Sequence, residues 1–283
     1  MITDNSFTFE GGPVALLLVH GLTGTPSEMK GIGKAIARGG YTVYGVQLAG
    51  HCGDEADLVR TGWRDWSRSV ETAFDRLRAK HETVYVGGLS MGALLSIKLA
   101  ADRLGEVAGL ALYSTTLFYD GWAIPKTRVL VKPALALGFA KWVRFVEAPP
   151  YGLKDDRIRE RIARAMLGGD SASSGNATTP GRSLVELHRL IAEVKRVLPS
   201  VRTPALVVHA RHDDMTSLHN ANYVASRIGG DVEKVVLENS YHMITLDRDR
   251  DQLVGRTIDF MGRQRRLRVA KNENVMPLRT ARR

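Results

Sequence analysis

A serine hydroxyl attacks a carbonyl at neutral pH only when a base takes its proton and a third group orients that base, so such chemistry needs a serine, a histidine and a carboxylate that one fold can bring together. Ser90 stands in Gly88-Leu89-Ser90-Met91-Gly92. Glycines two positions to either side let a strand and a helix approach closely enough for a sharp turn that exposes the serine in a strained conformation. The same residues also suit a glycine-rich turn whose serine merely caps a helix. Of eight histidines, His20, His51 and His81 precede the serine. In a strand-turn-helix setting of this kind the acid and then the histidine follow it, each on a loop after a later strand. His188 lies in a helical stretch, His209 ends an apolar run, and His212 and His219 share the next loop and helix; these read as surface or hydrogen-bonded histidines. His242, just past the run 232–237, is the expected base. Asp213 and Asp214 both follow the run 205–209, and spacing does not separate them, although Asp214 also suits a helix N-terminus or the surface. Asp247, Asp249 and Asp251 read as the charged start of a helix.

Acyl transfer also needs donors aimed at the tetrahedral oxyanion. In His20-Gly21-Leu22-Thr23-Gly24 the glycines let the chain turn back so that the Leu22 N–H faces the serine, and Met91, after the nucleophile, offers the second donor. Taken alone, this stretch is a loop that needs glycine for geometry. The acidic run Asp54, Glu55 and Asp57 has no histidine or further acid at metal-ligand spacing and reads as a solvated loop. No cofactor is implied.

Positioning these residues requires strands that deliver them to one edge. Apolar runs at 14–19, 41–46, 83–87, 107–113, 205–209 and 232–237 alternate with helical periods at 63–80, 91–103, 217–228 and 248–261, which argues a mostly parallel sheet with helices on both faces. The runs are continuous, as in strands buried on both sides. Thr25 as N-cap, Pro26 and Glu28 mark the first helix as a capping box, stopped by Gly39-Gly40. Residues 114–204 break the alternation. Within them 127–146 is apolar with Lys132, Lys141 and Arg144, 155–167 is a charged amphipathic helix, 171–181 is a Ser/Gly/Thr linker and 183–198 returns to helical period. Pro133 and the internal charges argue against a membrane span, so a small helical cap over the sheet is expected.

The 283 residues are 44% hydrophobic and 25% charged, ordinary globular values that exclude collagen-like and wholly disordered chains. The single cysteine, Cys52, allows neither an internal disulfide nor a thiolate zinc site. The net charge of +10 is mostly local: residues 262–283 carry eight basic groups and one acid, so 1–261 hold only +3. That tail reads as a solvated, partly flexible end, with weak attraction to anionic lipid or nucleic acid as the alternative. No aromatic residue interleaves its arginines, so nucleic acid is not an expected partner. Residues 1–13 lack a basic flank and apolar core, which gives a cytoplasmic address by default.

Taken together, His20-Gly-Leu-Thr-Gly-Thr-Pro26, Gly88-Leu-Ser-Met-Gly92, His209-Ala-Arg-His-Asp-Asp214 and Tyr241-His-Met-Ile-Thr-Leu-Asp247 resemble the α/β-hydrolase superfamily, and within it bacterial carboxylesterases and monoacylglycerol-lipase-like enzymes, over residues 7–261. The resemblance implies an α/β-hydrolase fold with about seven strands: 1–114 and 199–261 as core, 115–198 as helical cap insertion and connecting helix, and 262–283 as tail. It implies Ser90 as nucleophile, Asp213 as acid, His242 as base, and Leu22 and Met91 as oxyanion donors. Cys52 replaces a glycine common among relatives, which alters loop packing. The opening antiparallel strands are shortened, with residues 7–10 as one. The implied activity is hydrolysis of carboxylic esters through an acyl-enzyme, on a small-molecule ester whose apolar acyl chain lies beneath the cap. A thioesterase, amidase or acyltransferase could use the same triad, and a non-catalytic ligand-binding protein of this fold is the reading from another class. Phe118, Tyr119 and Trp122 begin the insertion, so Phe118 and Trp122 are expected substrate contacts, with 129–139 as a further apolar surface.

Overall fold

The run Val14-Ala-Leu-Leu-Leu-Val19 has no polar face because both of its faces are covered. It forms β2 (Val14–Val19), whose Ala15, Leu17 and Val19 enter one core layer while Val14, Leu16 and Leu18 enter the other. The computed structural model describes residues 2–125, 139–168 and 175–275. Around β2 lie β1 (Phe7–Phe9), β3 (Thr42–Val46), β4 (Thr83–Leu89), β5 (Leu110–Tyr113), β8 (Ala205–Ala210) and β9 (Val232–Leu237), in the order β1-β3-β2-β4-β5-β8-β9. Only β1 runs antiparallel, pairing Thr8 with Tyr44 of β3. The chain leaves β2 for β3 on one side and returns to β4 on the other, so a crevice opens at the carboxyl ends of β2 and β4, where α/β sheets bind ligands.

One layer packs α3 (Trp63–Arg78), α4 (Met91–Asp102), α6 (Gly181–Val197) and α7 (Leu218–Arg227) on the sheet, through Trp66, Phe74, Leu94 and Leu190. The other packs α1 (Ser27–Arg38) and α8 (Arg250–Val275) through Met29, Ile32, Leu253 and Phe260. Asp54 caps the short α2 (Glu55–Val59) with Asp57 answering, so the acidic run is a helix start. At α1 the Thr25 hydroxyl accepts the Ser27 N–H at 3.2 Å, but the helix begins one residue later than its expected first turn. α8 continues well past Met261; residues 263 and 265–270 of this extension are exposed, in keeping with a solvated end but helical rather than irregular.

The insertion is not wholly helical. Besides α5 (Asp156–Leu167) it carries a two-stranded antiparallel sheet of β6 (Arg144–Val146) and β7 (Thr178–Pro180). Strands of three residues are too short to show alternation, which is why sequence periodicity misses them. The expected apolar stretch 129–139 lies, but for Phe139, outside the described residues, as do 171–174 of the linker. No described helix is long and apolar enough to cross a membrane.

Candidate active site

Ser90 follows β4 and opens α4 with φ 57° and ψ −113°, a left-handed strain that a non-glycine residue keeps only when its surroundings enforce it. They do so by close approach. A Cβ on Gly92 would lie 2.1 Å from the Val19 carbonyl oxygen, and one on Gly88 would lie 2.3 Å from the Gly92 carbonyl carbon. The Ser90 N–H is tied to the Tyr113 carbonyl at 2.9 Å. Its hydroxyl shares a hydrogen bond with Thr116 Oγ1 at 2.8 Å, and Thr116 Oγ1 also lies 3.2 Å from the Ser114 carbonyl oxygen. Met91 is the first residue of α4, and the first N–H groups of a helix have no intrahelical acceptor, which leaves its amide available as a donor. Leu22 lies on the loop after β2, which rests against the serine: a Cβ on Gly21 would be 3.7 Å from the Ser90 Cβ.

His242 and Asp213 meet from the loops after β9 and β8. His242 Nδ1 lies 2.9 Å from Asp213 Oδ2 and 3.1 Å from Oδ1. The carboxylate also accepts the N–H groups of Met215 and Thr216, at 2.9 and 2.7 Å, and the Thr216 hydroxyl at 3.0 Å. Burial alone would raise the Asp213 carboxyl, but the adjacent His242 and these donors hold it below the usual carboxylate range. Burial would likewise lower His242, and the Asp213 charge and hydrogen bond outweigh it, so the imidazole is held above its ordinary value.

Asp214 has a different task and is not at the surface. It is buried, and its oxygens accept the backbone N–H of Gly152 in the cap at 3.1 Å and of His242 at 3.2 Å. Asp247 is another buried clamp: it accepts the N–H groups of Lys154 and Asp155 from the cap and of Tyr241 beside the histidine. His20, behind the site, donates from Nδ1 to the Gly21 carbonyl and accepts the Leu48 N–H at Nε2, a neutral tautomer that burial favours. His51 packs edge-on to it, and burial pushes its pKa down to about 4.

Ser90 and His242 share a cavity of about 130 Å³. Its apolar wall includes Leu22, Ile162, Met166, Met215 and Met243, and its polar wall includes Glu28, Glu147, Asn176 and Thr179. Burial pushes the carboxyls of Glu28 and Glu147 upward, Glu28 to about 7. Sequence reasoning saw Glu28 only as a cap and missed Glu147, Thr116 and Thr179.

Of the three residues that begin the insertion, Tyr119 lines this cavity, whereas Phe118 and Trp122 do not. Asn220 Oδ1 accepts the N–H of both Leu117 and Phe118 at 2.8 Å and so fixes the direction in which this segment leaves the sheet. The Phe118 ring sits beneath the Lys195 ammonium at 3.6 Å and edge-on to Tyr223. Trp122 is 61% exposed, lies edge-on to Tyr241 and donates from Nε1 to the His212 carbonyl at 3.0 Å. Among the described residues no three His, Cys, Asp or Glu side chains converge as a metal site.

A family model described as serine aminopeptidase, S33, matches residues 14–249. The chain belongs to the S33 family. This S33 member is 32% identical over 258 residues to the thermostable monoacylglycerol lipase of Bacillus sp. strain H-257, covering 91% of the chain and 94% of that protein. It is 29% identical over 258 residues to a carboxylesterase of Bacillus subtilis strain 168, covering 89% and 93%. A solved structure from work on two metagenome-derived lipolytic enzymes superposes with a TM-score of 0.78 at 25% identity, covering 91% of this chain and 97% of that one. The fold of this S33 member is that of the α/β-hydrolases.

Proposed function

We propose that this S33 member is a serine hydrolase of carboxylic esters, of the carboxylesterase or monoacylglycerol-lipase type. Ser90 Oγ leaves Thr116 and attacks the ester carbonyl as His242 takes its proton. Asp213 holds the imidazole in register and stabilises the imidazolium. The carbonyl oxygen, now carrying the negative charge, accepts the N–H groups of Leu22 and Met91. The tetrahedral intermediate collapses to an acyl-Ser90, and His242 gives the proton to the departing alcohol. Water, deprotonated by His242, then repeats the addition, releasing the acid and restoring Ser90.

The observation that carries this reading is the strained Ser90 at the N-terminus of α4 in one cavity with a histidine whose Nδ1 is bonded to a buried carboxylate. The names of the relatives support the ester class. Hydrolysis of p-nitrophenyl acetate through decanoate, beside a p-nitroanilide and a thioester of the best acyl group, tests it. The ester should be turned over fastest, and Ser90→Ala should lower its rate by about three orders of magnitude or more. Retained activity in that variant, or a faster anilide or thioester, contradicts the assignment.

A further inference from the structure

The loop that carries Leu22 is not self-supporting. Thr23 holds φ 61°, a left-handed conformation that a β-branched residue keeps only when its neighbours over-determine it. On one side the Asn176 N–H, from the cap, donates to the Thr23 carbonyl at 2.9 Å. On the other lies Glu28. Its Oε2 accepts the Gly21 N–H at 3.4 Å, and its carboxylate packs against Gly24, so one side chain spans the loop with Leu22 in between. The fit leaves no slack, since a Cβ on Gly24 would lie 2.1 Å from Oε1. An acid in the first turn of a helix ordinarily faces water. Glu28 instead forms part of the wall of the cavity that holds Ser90 and His242.

We propose that Glu28 is a positioning residue for ester hydrolysis: its carboxylate holds the Gly21 N–H, packs against Gly24 and thereby keeps the Leu22 N–H on the oxyanion. The proposal rests on the Ser90 reading above. Backbone N–H bonds to a carboxylate are roughly twice as strong as those to a neutral acceptor, so the ionised form holds the loop best. Among the described residues, His242 from the loop after β9 favours the Glu28 charge, Glu147 from the cap opposes it, and Cys52 from the loop after β3 also interacts with it. Because the loop donor acts on the developing oxyanion rather than on bound substrate, its misplacement lowers kcat and leaves KM in place.

The test is Glu28→Gln and Glu28→Asp in the full chain, assayed with p-nitrophenyl butyrate from roughly pH 5.5 to 9. For Glu28→Gln, kcat at the alkaline plateau should fall about tenfold, less than the 10²–10³ lost with an oxyanion donor itself. KM should stay within about twofold. The wild-type acid limb should contain two ionisations, one of which disappears in Glu28→Gln. Glu28→Asp keeps the charge with a shorter reach and should fall between. Affinity for an alkyl trifluoromethyl ketone should drop in parallel with kcat. Wild-type kcat and pH profile in Glu28→Gln, or a raised KM with unchanged kcat, overturns the inference. If Glu28→Gln does not fold, a single ionisation on the wild-type limb, or full kcat in Glu28→Asp, overturns it. An active Ser90→Ala would instead sink the ester-hydrolase reading beneath it.

Discussion

Glu28→Gln should make the protein more stable at pH 8 while leaving it little changed at pH 4. The folded carboxyl ionises near 7 against an ordinary 4.5, because burial disfavours its charge. Below 4.5 both folded and unfolded chains hold the proton. Between 4.5 and 7 the unfolded chain has released it and the folded chain has not, so stability falls as pH rises, and above 7 the full cost is present. At about 1.36 kcal/mol per pKa unit that cost is roughly 3 kcal/mol. Glutamine has no proton to lose, and the folded value near 7 already contains the stronger hydrogen bonding of the charged form, so the whole of this cost is relieved. The gain of roughly 3 kcal/mol corresponds to a Tm higher by about 6 °C for a chain of this size. Thermal unfolding followed by circular dichroism for wild type and variant at pH 4 and pH 8 reads the difference directly. A Tm difference that is the same at the two pH values would refute the assignment of this cost to Glu28.

Asp213→Asn should lower kcat by about 10³–10⁴ through the wrong imidazole tautomer, with little change in Tm. Asp214→Ala should instead cost roughly 2 kcal/mol or more in stability, because the buried N–H groups of Gly152 and His242 lose their acceptor; urea titration beside kinetics separates the two, and equal kinetic losses would count against it. Met166→Ala or Ile162→Ala should move the preferred p-nitrophenyl acyl length upward, whereas Trp122→Ala, on the outside of the cap, should leave it unchanged; the reverse pattern would contradict the cavity described above. Gly92→Ala should abolish soluble expression or cost several kcal/mol, since its Cβ would strike the Val19 carbonyl at 2.1 Å, and a folded, active variant would refute the close-packing argument.

The core strands were legible because β2, β4, β5 and β8 are almost wholly buried and therefore mostly apolar, with no alternating polar face. Ser90 was legible because the glycines its turn requires are local in sequence. His242 and Asp213 were legible through their order after it, though only the resemblance chose Asp213 over Asp214, since what separates them is three-dimensional: Asp213 turns its carboxylate to the imidazole, and Asp214 turns its own to backbone N–H groups. The polar wall of the cavity was not legible. Glu147 follows, and Thr179 lies within, strands too short to announce themselves, and Glu28 sits where a helix cap is expected, with nothing local to show that its side chain turns inward. Asp247 clamps Lys154, far away in the chain, and such long-range backbone bonds leave no periodic trace. That Phe118 and Trp122 do not line the cavity was not legible for a related reason, because nearness in sequence to β5 did not decide which way each ring would point once Asn220 had pinned the segment.

The central claim is that Ser90 becomes acylated. Incubation of the full chain with an alkyl fluorophosphonate, followed by intact mass and peptide mapping, measures this most directly. One phosphonyl group per chain should appear on the peptide bearing Ser90, at a rate that His242→Ala lowers by at least about 10³ and that Ser90→Ala abolishes. Labelling of another residue, or no labelling of a folded protein that still hydrolyses esters, would contradict the account.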